Sequence, residues 1–306
     1  MTPLHPPAAT TSRLSAFANK HRKYVLAGPA TFFIACMLII PLGFTVYLSM
    51  TGASGSVSRN ADFIGLANYL EVLTSNDRFW PAVGRTFAFT AVVLAVEMLA
   101  GLGVALLLWR TFRGDSIIRV IILLPLVATP VAVGMMWMLI FHPTIGAANE
   151  ILSWIGVSAQ GWLSDPRQAL PTLMFIDIWQ WTPMVALILL AGLRSISDEP
   201  LEAAAVDGAN SFQRLIHVIL PTLAPTLITA LLLRAIDALK TFDIIYATKG
   251  KGGGSYHEAE TLNILAYSYS FDYQYYGKAS AVLVLFLIII LAICAVLIIM
   301  RKGRKA

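Results

Sequence analysis

The chain has 306 residues, of which 58% are hydrophobic and only 13% charged, about half the charged share of a soluble globular protein. With a mean hydropathy of +0.73 and a net charge of +5, too few polar side chains remain to coat a water-facing surface. That excludes a soluble enzyme, a disordered chain and a nucleic-acid-binding domain, and it leaves a polytopic membrane protein.

A spanning helix needs about 20 mostly apolar residues. Six stretches qualify, at about Tyr24–Met50, Val83–Trp109, Ser116–Phe141, Ala169–Leu193, Ala224–Ala247 and Ala279–Met300. The first is too long for a signal peptide, and no small-residue cleavage pattern follows it, so it reads as a retained span. Pro29 and Pro41 are expected to end or kink it. Residues 147–157 carry Ala147, Ile151, Trp154 and Ile155 at helical spacing, the pattern of a short amphipathic helix at the outer interface. Trp80, Trp109, Trp154 and Trp162 lie near span ends and read as interface anchors. Cys36 and Cys294 sit inside apolar runs as small fillers, so no disulfide is expected. His257-Glu258 lacks a second histidine, so no metal site is expected either.

Six spans put both termini on one side. Tail 1–23, the second and fourth connections and tail 301–306 together carry 13 of the 22 Lys and Arg, and the opposite side carries 7. Positive charge stays inside, so both termini are expected in the cytoplasm. The run Gly250–Gly254 then lies outside as a flexible loop, and its Lys251 is not followed by Ser or Thr as in a phosphate loop. The tyrosine-rich run Tyr267–Tyr276 reads as an interfacial aromatic belt or, more sharply, as a docking surface for an external partner.

The fourth connection, residues 194–223, is the informative one. Ser197 or Asp198 can cap a helix, with Pro200 tolerated in its first turn. Leu201, Glu202, Ala203, Ala204, Ala205 and Val206 carry the helix, and Gly208 can take positive φ to end it. A second short helix is expected to run to Leu220, with Pro221 marking re-entry toward the bilayer. The plainer reading of this segment is a capped surface helix with a solvated face. The sharper one is a cytoplasmic elbow tied to spans four and five, which a soluble partner can grip and push.

Charge inside a bilayer is costly, about 2.5–3.5 kcal/mol per central Asp, Lys or Arg. Span four nevertheless carries Asp177 and Gln180, and span five carries Arg234, Asp237, Lys240, Thr241 and Asp243. On a helical wheel Arg234, Asp237 and Thr241 fall within about 60° of one another, as do Asp177, Gln180, Trp181 and Met184. Lys240 and Asp243 share a second face. These faces must meet water, a partner or a ligand. The plainer alternative is that Arg234–Asp237 and Lys240–Asp243 are i,i+3 pairs that neutralise each other. Glu97 in span two is expected to be hydrogen-bonded within the bundle.

Glu202, Ala203, Ala204, Gly208, Leu220 and Pro221 stand at the offsets of the cytoplasmic signature Glu-Ala-Ala, three residues, Gly, nine residues, Ile, one residue, Leu-Pro. By this motif the chain resembles the permease subunits of bacterial ATP-binding-cassette importers, with Val218 in place of the usual Ile. The resemblance runs over nearly the whole chain and is closest to the maltose and glycerophosphate type of carbohydrate permease. It is carried also by Phe63–Tyr69, Leu124-Pro125, Trp137, Phe141-His142-Pro143, Trp162–Pro166, Trp179, Pro183, Gly277 and Ser280-Ala281.

The resemblance implies an all-α, six-span permease of the type I importer fold in the bacterial inner membrane, with the permease domain over residues 24–300. It implies that Glu202, Ala203, Ala204, Asp207, Gly208, Leu220 and Pro221 form the contact with an ATPase subunit. It also implies a solute cavity lined by Asp177, Gln180, Trp181, Met184, Arg234, Asp237, Ala238 and Thr241; all but Ala238 lie on the wheel faces above. The implied assembly is a second permease, two ATPase subunits and an extracytoplasmic solute-binding protein. ATP and Mg would be bound by the ATPase, with no cofactor on this chain and no catalysis by it. The solute would be a sugar, oligosaccharide, polyol or glycerophosphodiester, and an unpaired Arg234 would tilt the choice toward an anionic one. The rival is a stand-alone proton-coupled secondary transporter with Asp177, Asp237 and Glu97 as its relay.

Overall fold

The structure is a computed structural model and describes residues 22–55, 61–109 and 113–303. The tail up to residue 21 and the orientation markers Arg59, Arg110, Arg304 and Lys305 lie outside the described residues.

Among those residues the architecture is helical, with a single isolated bridge between Thr51 and Phe63. The first span is α1 (Arg22–Ser49) and the second is α3 (Phe79–Trp109), with the short α2 (Ala67–Thr74) between them. Pro29 and Pro41 both sit inside α1, which runs through them. The fourth span, α7 (Pro166–Arg194), occupies the centre and packs along much of α3. Gly101 permits that approach, because a Cβ there would stand 2.7 Å from Val185. The last span, α13 (Tyr276–Gly303), packs against α1 and α2 at the periphery. Most of α1 is exposed, including Phe32, Leu38, Ile39 and Ile40, as befits a helix facing lipid or another chain.

The third span is not the straight helix that its hydropathy predicts. It is a pair, α4 (Asp115–Val127) and α5 (Pro130–Ile140), bent by 99°. A residue before proline is pushed out of the helical region; Ala128 and Thr129 take ψ values of 143° and 146°. The Thr129 hydroxyl then caps α5 by accepting from the Ala132 N–H at 3.4 Å. The Ala128 carbonyl released by the bend accepts from Gln180 Nε2 at 3.1 Å.

The fifth span is likewise interrupted. Helix α10 (Leu220–Leu239) ends at Lys240, and α11 (Asp243–Lys249) begins only after Phe242. The segment at 261–263 supplies donors for the freed carbonyls. Asn263 Nδ2 donates to Lys240 O at 2.6 Å and Thr261 Oγ1 to Thr241 O at 3.5 Å. Non-helical backbone at membrane depth is tolerated only where it is satisfied by protein or lines a cavity, and both conditions are met here.

Outside the spans, α6 (Ala147–Trp154) is a short helix within the expected stretch 147–157, and it stops at Trp154 with Ile155 as its C-cap. The Gly250–Gly254 run is folded, not loose: Gly252 and Gly253 are buried, and all five residues but Lys251 have positive φ. It is braced by Lys249, whose Nζ lies 2.6 Å from Glu258 and donates to Leu163 O at 2.7 Å. Burial works to raise the Glu258 carboxyl, but hydrogen bonds from Lys249 and the Tyr256 N–H outweigh it and hold the group below the usual carboxylate range. The tyrosine-rich run is partly internal. It covers the end of α12 (Leu262–Tyr267) and a π turn at Ser268–Asp272, with Tyr269 buried and hydrogen-bonded to Asn76.

Candidate solute cleft and coupling elbow

Four charged residues from three spans meet beside the two helix breaks. Arg234 on α10 is 1% exposed and engages carboxylates through all three guanidinium nitrogens. Nε and Nη2 donate to the two oxygens of Glu97 at 2.8 and 3.0 Å, a bidentate pair. Nη1 donates to Asp237 at 2.7 Å, and Nη2 also reaches Asp177. The guanidinium carbon sits 5.1 Å from the centre of the Trp181 ring, within cation–π range. Glu97 therefore does bond within the bundle, and its partner lies 137 residues away. The i,i+3 pair Arg234–Asp237 forms, whereas Lys240 and Asp243 make no ion pair with each other among the described residues.

With all groups ionised, one guanidinium faces three carboxylates. An ion this deeply buried is tolerated only with its hydrogen bonds filled, and Arg234 fills them within the chain. Four of its five N–H donors are taken by carboxylates, so it is not a free cation in the cleft. Asp237 differs from its two fellow carboxylates: its side chain is 46% exposed, against 3% or less for Asp177 and Glu97.

Beside this cluster opens a small polar cleft of about 80 Å³, lined by Pro130, Asp177, Trp181, Asp237, Lys240, Thr241, Phe242, Asp243 and Ile244. Asp177, Trp181, Asp237 and Thr241, four of the eight expected cavity residues, line it directly. Arg234 stands behind it. Ala238 is buried in the core, Gln180 is turned to the bend at Ala128, and Met184 lies off the cleft. The break after Leu239 resets the helical phase and brings Lys240 and Asp243 to the same opening as Asp237. Pro130, Phe242 and Ile244 were not anticipated as lining residues; the Thr129-Pro130 step was the available signal for the first. Carboxylates, a hydroxyl and an ammonium around a tryptophan suit the hydroxyls and apolar faces of a small polar solute.

At the far end of α7 lies the elbow. Its first helix, α8 (Glu199–Val206), starts with Pro200 in its first turn as expected, but Asp198 contributes its carbonyl and no side-chain cap. Gly208 has φ +82°. The Ala209 N–H reaches Ala204 O and the Gly208 N–H reaches Ala205 O, a Schellman close. The second helix, α9 (Ser211–Arg214), is held by a capping box in which Asn210 and Gln213 exchange bonds of 2.9 Å. It does not stop at Leu220. A π turn at Leu215–Ile219 carries it straight into α10, so Leu220 and Pro221 lie in the first turn of the span.

Glu202, Ala203, Asp207, Gly208 and Pro221 are exposed; Ala204 and Leu220 are half-buried. Around them stand three uncovered apolar side chains that the motif does not include, Val206 at 88%, Phe212 at 68% and Ile216 at 41% exposed. The roots of the elbow are firmly packed: Leu193, Ile219 and Leu223 share one core with Ala105 and Leu108 of α3.

Residues 97–302 match the family described as binding-protein-dependent transport system inner membrane component. The chain is 36% identical over 244 residues to the trehalose/maltose transport system permease protein MalF of Thermococcus litoralis, covering 80% of this chain and 81% of that one. It is 32% identical over 254 residues to the trehalose transport system permease protein SugA of Mycobacterium tuberculosis, covering 83% and 80%. Its fold is similar to that of a chain in a bacterial alginate ABC transporter solved with an alginate pentasaccharide-bound periplasmic protein. There the TM-score is 0.81 at 21% identity, covering 94% of this chain and 96% of that one.

Proposed function

The chain belongs to the family of binding-protein-dependent transport system inner membrane components, and from that footing we propose what it moves and how it is driven. It is a multi-pass permease subunit of an ABC importer, not a stand-alone secondary transporter. Its solute is carbohydrate-like. Two relatives named for trehalose transport support this, as does the chemistry of the cleft. Because Arg234 is occupied on every nitrogen, uncharged members of the class suit the cleft better than a phosphodiester.

This chain forms half of the translocation path and a second permease forms the other half. Two ATPase subunits bind ATP and Mg and hydrolyse the nucleotide, and an extracytoplasmic binding protein delivers the solute. Both termini face the cytoplasm of a bacterial inner membrane. No bond is made or broken on this chain. When the ATPase pair closes, it draws the elbow inward, and α7 and α10 move with it because both grow out of the elbow. The cleft between them then opens outward to receive solute, and hydrolysis resets it.

The observation that carries this reading is the exposed elbow itself. Glu202 lies uncovered on a helix closed by a glycine turn, Val206, Phe212 and Ile216 of the same elbow are also uncovered, and the base is packed into the bundle. Glu202 pairs there with a basic group of the ATPase, and the alanines allow close approach. Glu202→Lys, or Gly208→Pro at a backbone position with φ +82°, is expected to abolish ATP-dependent uptake in vesicles holding the whole importer while leaving the chain folded in the membrane. Uptake at the unmodified rate in both variants overturns the coupling role.

A further inference from the structure

We propose that the end of α7 opposite the elbow holds a membrane phospholipid, its phosphate on Arg167 and an acyl chain in the groove beneath. The site is separate from the solute cleft and from the elbow. A groove of about 500 Å³ lies there between α7, the end of α5 and α6, and it is predominantly apolar.

Its back wall is a single stripe of α7. Arg167, Pro171 and Phe175 are spaced i, i+4, i+8 and so stand in one row, all three exposed. Eight residues of helix set the Arg167 and Phe175 levels about 12 Å apart. The 29 residues of α7 measure about 43 Å, against about 30 Å of hydrocarbon. Centred in the bilayer, the helix therefore puts Arg167 at headgroup level and Phe175 inside the acyl region.

The opposite wall is built, not incidental. Leu152 of α6 and Val157 face the groove, and α6 turns Ile151 and Trp154 outward at 53% and 75% exposure, as a helix lying in the interface does. Polar ties fasten this wall to α7 and brace it internally. Gln168 Nε2 donates to Gln160 Oε1 at 2.9 Å, and Asn149 accepts from Trp162 Nε1 at 2.8 Å. Trp162 is held at φ +48°, an unfavourable backbone for a bulky residue, by the bond from its N–H to Gln168 Oε1 at 2.7 Å. Its ring stacks on Phe141 at 4.6 Å to form the floor.

The occupant follows from charge and position. Among the described residues Arg167 makes no ion pair, so a cation stands unmatched at the mouth of an apolar groove that reaches down to Phe175 in the acyl region. A phospholipid offers both parts of the match. One basic residue near the bilayer surface contributes about 1 kcal/mol of attraction to an anionic lipid, or about fivefold in occupancy.

The test is native mass spectrometry of the full chain, purified in detergent with its co-expressed importer subunits and titrated with phosphatidylglycerol. One lipid per copy is expected to survive activation that strips the rest. Arg167→Ala is expected to lower its occupancy about fivefold, and Val157→Trp, which fills the groove, to displace it. Arg194→Ala, a cation lost at the other end of the same helix, should leave it bound. Equal occupancy in the Arg167→Ala and Val157→Trp variants overturns the proposal, and so does equal loss in all three. A photo-crosslinker at position 167 that captures another importer subunit, with no dependence on lipid, assigns the groove to protein and overturns it as well.

Discussion

Replacing Arg234 by methionine leaves Glu97 and Asp177 buried with no cation beside them. Removing one partner of a buried ion pair costs about 3–5 kcal/mol, so Arg234→Met is expected to lower the thermal midpoint of the purified chain sharply. Glu97→Gln keeps one acceptor for the guanidinium and should lose less. A methionine variant as stable as the parent would show that the cluster does not hold the spans together. Individual residue types were legible at this scale: charge at membrane depth marked Asp177, Arg234 and Asp237 from the sequence alone. Their pairing was not. Glu97 and Arg234 stand 137 positions apart, and a wheel drawn on one helix carries no information about the facing helix. Arg234, as a free cation, favoured an anionic solute; as the hub of three carboxylates, it does not.

Helices α7 and α10 are tightly packed at the base of the elbow. A Cβ on Gly192 would stand 2.7 Å from both Leu223 and Thr226. Overpacking of this kind costs about 1–3 kcal/mol, and here it also shifts the two elements that the proposed coupling moves together. Gly192→Leu is therefore expected to slow ATP-dependent uptake more than it lowers the amount of folded importer, as read from transport rate per assembled complex. A proportionate fall in both would assign Gly192 to packing alone. Gly208 was legible as a turn because only glycine settles readily at positive φ. The bend at Thr129-Pro130 was half legible: the proline was visible, but an apolar run on both sides hid the change of direction. The break after Leu239 was invisible, since Lys240, Thr241 and Phe242 include neither Gly nor Pro. It exists because Thr261 and Asn263, some 20 residues later, satisfy carbonyls that a continuous helix would have kept.

Across the whole molecule, the proposed topology puts the elbow and the Gly250–Gly254 turn on opposite sides of the membrane. In right-side-out cells, cysteine placed at Tyr256, 76% exposed, is expected to react with a membrane-impermeant maleimide. Cysteine at Val206, 88% exposed, should react only after permeabilisation. The reverse pattern would invert the orientation read from Lys and Arg. The two native cysteines at positions 36 and 294 lie within spans and provide the background. The backbone between the two sides has one further property. From Ser211 to Leu239 it stays helical, through a π turn but without a gap, a rod of about 43 Å. Its foot carries Phe212 and its tip carries Asp237. In the proposed cycle a pull on that foot would travel along unbroken helix to the tip, and the first gap it would meet is the interruption at Lys240–Phe242, where the solute would sit.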